Sequence, residues 1–318
     1  MRSETMRQRV MELRSAGFGF MVWLALWAPI RFAGREPGFI DRLFLLAPLV
    51  IVPLGLRLQL LPRAARVAQP LCGALVVVSV LSRTGTAAAL LAMPWLLLGA
   101  TCALIGLLRL LRGGLRRMDE WCLNAALVYW PVGCLWLVIS RLGVNPLGFS
   151  DDIVLLTAVH FHFAGFAALT ILGMTGRFAE GMLYRVTAWG AITGIPFLAL
   201  GITFSPSLEC AAALLLAASL VSAAGITVFV VLPSVPRRMA KVLLAISAAS
   251  LVAAMAFAGI YALGKYTGGN WLEIPEMAMV HGVANAVGFS LCGLMGWNLV
   301  GEEGTVERHV GEARHPRG

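Results

Sequence analysis

Charge is what this sequence has least of: 13% of its residues are Asp, Glu, Lys or Arg, where a soluble domain carries about 25%. With 59% hydrophobic residues and a mean hydropathy of +0.84, the chain is composed for lipid rather than water. Acidic residues are scarcer still, 16 against 25 Lys and Arg, for a net charge of +9. In a soluble protein that excess points to nucleic acid. Here the basic residues occupy short segments between apolar runs, which is the pattern of topology signals and headgroup contacts. Nucleic acid is thereby excluded, and membrane lipids are the expected surroundings.

Other absences narrow the chemistry. The six cysteines (Cys72, Cys102, Cys122, Cys134, Cys210, Cys292) lie in or beside apolar runs and form no C-x-x-C pair, so they read as buried thiols and indicate neither disulfides nor zinc. No Walker sequence and no dinucleotide glycine fingerprint is present, so nothing points to ATP-driven transport, and no catalytic set is evident. No A-x-A cleavage site follows the first apolar run, where Arg31 to Gly34 stand; the first helix is expected to be retained.

What is present is a succession of apolar runs of spanning length, since a membrane helix needs about 20 apolar residues. They cover approximately 17–33, 40–57, 67–82, 86–108, 120–140, 152–174, 186–204, 209–232, 240–263 and 274–300. The fold class is therefore an all-α, polytopic bundle of about ten transmembrane helices. Nine remains open, because Pro48 and Pro53 interrupt the second run and the third is short. A basic, amphipathic segment 1–16 precedes the membrane domain 17–300, and a polar tail 301–318 follows it. With the N-terminus inside, alternate loops place nineteen of the 25 basic residues in the cytoplasm and six outside, so both termini are expected to be cytoplasmic and the chain to be multi-pass in a bacterial plasma membrane. Ten spans would divide into two halves of five whose second helices both carry proline, a pattern compatible with an inverted repeat.

The expected exterior face gathers acids, among them Asp151, Asp152 and Glu276, where helices begin. They suit a negative vestibule that attracts cations and protons, and equally suit ordinary N-terminal helix charges. Asp119 and Glu120 follow Arg116 and Arg117 and suggest interfacial pairing. Trp23, Trp121, Trp136, Trp271 and Trp297 fall near span ends and read as interfacial anchors.

Three ionisable side chains stand inside apolar runs: His160, His162 and His281. Polar groups at that depth need a partner, a cavity or a ligand. Counting 1.5 Å per residue from the outer ends of the sixth and tenth helices puts His160 about 12 Å deep and His281 about 10 Å deep, in one layer. His160 and His162 are two residues apart, roughly 200° around an α-helix, so at most one of them can join His281. Asn285 lies four residues after His281 and shares its face, placed to line the same cavity or orient the ring. The plain alternative is hydrogen bonding between helices without further function.

The pair HFHFAGF (His160 to Phe166) and HGVANAVGF (His281 to Phe289) resembles the signature of the YndJ-like family of bacterial membrane proteins. That resemblance implies a polytopic protein of a class often labelled transporter, with a small solute or a proton as its partner, and supplies no substrate, cofactor or catalytic assignment. AVHFHFAGF is also similar to the H-x-H helix of haem-copper oxidase subunit I. This second resemblance implies that His160 and His162 face two haems, with His281 as a further axial ligand, and hence a haem b redox protein or sensor. The copper ligands of that family have no counterpart here, so oxygen reduction is not implied. A membrane scaffold with structural histidines is the third class.

Overall fold

The computed structural model describes residues 15–28, 36–59, 61–113, 117–269 and 271–301. Among the described residues there is no strand, and nine helices are long and apolar enough to cross a membrane. They are α2 (Phe39–Arg57), α3 (Arg63–Leu81), α4 (Thr86–Gly113), α5 (Met118–Leu142), α6 (Asp151–Thr175), α7 (Met182–Phe204), α8 (Pro206–Ser234), α9 (Arg238–Thr267) and α10 (Ile274–Gly301). A shorter apolar helix, α1 (Ser15–Ala25), precedes them; the first expected span, 17–33, runs on into residues outside the described set. The segment 1–16 and the tail 301–318 likewise fall almost wholly outside it.

The second run spans despite its prolines. Pro53 has no N–H to offer and crowds the preceding turn, and the helix widens into a π turn at Ala47–Ile51. Gln69 of α3 donates from Nε2 to the Pro48 carbonyl at 2.9 Å, satisfying a backbone group at the distortion. The α5–α6 turn follows simple end chemistry. Gly143 closes α5 at φ 76°, a left-handed conformation that glycine adopts without penalty.

Consecutive helices pack as antiparallel neighbours from α3 to α10, while α2, α6 and α10 also contact one another. Cross-helix hydrogen bonds tie this trio. Asn298 donates to the Leu54 carbonyl at 3.1 Å, joining α10 to α2, and Gln59 donates to Thr170 Oγ1 at 3.3 Å, joining α2 to α6. Four of the five π segments lie on the trio: Ala47–Ile51, Phe161–Ala168, Ala278–Gly282 and Ala284–Leu291. Such segments leave carbonyls off the regular ladder and are common at functional positions. One of them is supplied from outside: Ser247 of α9 donates to the Phe289 carbonyl at 2.8 Å.

All six cysteines are free, five of them buried and Cys292 partly so. Two tryptophans expected at the interface are instead internal: Trp297 is fully buried beside Phe178, and Trp23 is buried with its indole N–H on the Arg42 carbonyl at 2.7 Å. A span end therefore does not guarantee a headgroup position when a neighbouring helix covers it.

Candidate functional site

The two histidines of α6 part company. His162 is fully buried; its Nδ1–H donates to the Ala158 carbonyl at 2.8 Å, and its Nε2 accepts from the indole N–H of Trp95 at 3.0 Å. The tautomer follows from the partners, since a carbonyl only accepts and an indole only donates. Phe44 stands edge-on to the ring and Cys134 Sγ lies 3.9 Å from Nε2. α5 comes close here through Gly133, where a Cβ would stand 2.7 Å from His162 Nδ1.

His160, by contrast, is exposed. Its Nδ1–H donates to the Leu156 carbonyl at 2.8 Å, leaving Nε2 with a lone pair that takes no hydrogen bond among the described residues. His281 of α10 is half-buried and donates from Nδ1 to the Ala254 carbonyl of α9 at 2.9 Å. Asn285 places its amide nitrogen 3.1 Å from His281 Nε2 and 3.1 Å from the His281 carbonyl. His160 and His281 are close enough for one ring to act on the other electrostatically. The arrangement thus brings His160, His281 and Asn285 together at the α6–α10 contact and leaves His162 on the far side of α6 with Trp95.

Above this group, at the Asp151 end of the bundle, lies a cavity of about 560 Å³. Asp41, Arg141, Asp151 and Asp152 line it, with Thr84, Ser140 and Asn145 adding neutral polar groups. Its deepest helix contributors include Leu155 and Ala278, so His160 and His281 begin about 7.5 and 4.5 Å further along their helices at 1.5 Å per residue. Asp152, Leu156 and His160 follow one another at four-residue steps on one stripe of α6. Glu276 is not among the lining residues: its carboxylate accepts from the Glu273 backbone N–H at 2.9 Å and caps α10.

Asp41 and Arg141 were not singled out by sequence reasoning, which counted Arg141 only as a loop charge. Both are buried, 5% and 2% exposed, and Arg141 donates to the Ser82 carbonyl at 2.6 Å. The signal available for Arg141 was its place inside the last turn of a span. Trp95 carried one too: it stands mid-run, where no interface exists to anchor it. At the other end, Arg117 meets Asp119 at 2.8 Å and Glu120 at 2.9 Å, the interfacial pairing read from the sequence. The stronger Asp119 hydrogen bond holds the Arg117 pKa above its ordinary value.

The haem ligand set implied by the H-x-H resemblance requires a ring nitrogen from His162. Both nitrogens of that ring are hydrogen-bonded inside close packing, so the residues present do not fit that group.

Comparison with known proteins agrees with the two-motif reading. Residues 42–289 match the family model described as YndJ-like protein. The chain is 31% identical over 211 residues to the uncharacterized membrane protein YndJ of Bacillus subtilis, an alignment covering 65% of this chain and 38% of that relative. It therefore spans well under half of the relative's length. No solved structure matches the chain. The matched stretch takes in α6 and the first half of α10 with both histidine motifs, and the chain belongs to the YndJ-like family of membrane proteins.

Proposed function

We propose that this protein moves a small solute or ion across a bacterial plasma membrane, through a polar site in the outer half formed by His160, His281 and Asn285. The supporting observation is the 560 Å³ cavity that ends one to two helical turns short of those side chains. In this reading the Asp151 end faces outward, and the carboxylates of Asp151 and Asp152, with Glu276 near the α10 start, draw cations into the mouth. Histidine titrates near neutral pH, which suits proton coupling. His162 serves as the packing anchor of α6. The π segments of α6 and α10 give the two helices that share the site a backbone able to rearrange.

The test is charge movement in proteoliposomes on a solid-supported membrane, challenged with steps of pH and of monovalent and divalent cations. Transient currents that vanish in a His160→Gln, His281→Gln double variant are expected. Absence of current with every ion, together with absence of dye-reported proton flux, would remove the transport reading and favour a scaffold.

A further inference from the structure

The hydrogen bonds of the two site histidines have a directional consequence. Each ring gives its Nδ1–H to a backbone carbonyl, His160 to Leu156 at 2.8 Å and His281 to Ala254 at 2.9 Å. Each therefore presents Nε2 as a lone pair. A backbone carbonyl on the far nitrogen is the arrangement that orients imidazoles as metal ligands and raises their basicity. The rings come from different helices and lie within electrostatic reach of one another. The cavity above them carries three carboxylates against one guanidinium, a lining that concentrates cations.

We propose that His160 and His281 bind a borderline transition-metal ion of the Zn²⁺ class through their Nε2 atoms. Asn285 is the adjustable member: rotation of its carboxamide exchanges the nitrogen now facing His281 Nε2 for an oxygen that can face the ion. Imidazole nitrogen selects against Mg²⁺ and Ca²⁺, which take oxygen ligands. His162 does not take part, because Trp95 and Ala158 use both of its nitrogens. Among the described residues no three His, Cys, Asp or Glu side chains form a metal-holding group, so the remaining positions fall to Asn285 and water. Incomplete protein coordination suits an ion that is taken up and released. The site rests on the transport reading only for its route of entry.

The experiment uses the full chain in mild detergent, stripped with chelator, with His309 and His315 changed to alanine so that tail imidazoles do not contribute. Calorimetric titration with Zn²⁺ is expected to give one ion per chain, weakened at least tenfold by His160→Gln or His281→Gln and about 10-fold by Asn285→Ala. Melting curves identify any variant that fails to fold. X-ray absorption at the zinc edge gives an answer that needs no further variant: two imidazole shells support the site, and an oxygen-only shell overturns it. Loss of stoichiometric binding on removing the tail histidines also overturns it. Zn²⁺ binding without ion flux supports the site while removing transport; flux without Zn²⁺ binding does the reverse.

Discussion

A neutral imidazole in a bilayer must dispose of one N–H and one lone pair, and the cost of failing rises as water is excluded. His162 meets both demands, through Ala158 and Trp95, in a site with no exposure. Replacing Trp95 by Phe keeps an aromatic ring but leaves Nε2 unmatched, and the protein should lose about 1–2 kcal/mol of stability, read as a lower melting temperature in detergent. Adding His162→Leu to Trp95→Phe removes both partners and should recover part of that loss. A double variant as unstable as the sum of the singles would mean that the hydrogen bond contributes nothing specific. The sequence told that His160 and His162 point apart, because rotation per residue is a property of the helix. It could not tell which one faces inward: that depends on Trp95 of α4, 67 residues away from His162.

At the scale of the helix, the ends of the spans were legible and their interiors were not. Apolar runs stop where lipid stops, and α3 to α10 begin and end within a few residues of the expected runs. The π segments follow no such rule. Only Ala47–Ile51 has a visible cause, in Pro53, while Phe161–Ala168 and Ala284–Leu291 depend on partners such as Ser247 that lie on other helices. Glycine content is likewise informative only once contacts are known. At Gly133 a Cβ would also come within 2.9 Å of Phe161 Cβ and 3.1 Å of the Ala158 carbonyl, so Gly133→Ala must push α5 from α6. A loss of about 1–3 kcal/mol is expected. At Gly225, inside α8, nothing stands within 4 Å. Gly225→Ala should stabilise by about 0.5–1 kcal/mol, because alanine restricts the unfolded chain without meeting a neighbour. Melting the two variants side by side checks both signs.

For the whole molecule the open question is which way round the bundle sits, and charge supplies the argument. Nineteen of the 25 basic residues fall to one side of the alternating loops and six to the other. The structure sharpens that contrast. Of the six, Arg42 pairs with Glu36 at 3.3 Å, Lys265 pairs with Glu209 at 2.7 Å, and Arg141 is buried with a donor on the Ser82 carbonyl. Arg31 and Arg35 lie outside the described residues, which leaves Arg83 as the remaining member of the minority side. The opposite end carries Arg57, Arg63, Arg66, Arg109, Arg112, Arg177, Arg185, Arg237, Arg238 and Lys241 on or beside helix ends, where basic residues hold a loop in the cytoplasm. Reporter fusions after Arg14 and after Gly301 should therefore both read cytoplasmic. A cysteine introduced at Asn145, in the cavity lining, should react with a membrane-impermeant maleimide in intact cells, above the low background expected of thiols that are mostly buried. Fusions that read on opposite sides would mean an odd number of crossings, with the first run, 17–33, as the place where the count fails. An Asn145→Cys variant that labels only after the cells are opened would invert the bundle and put the acidic mouth on the cytoplasmic side.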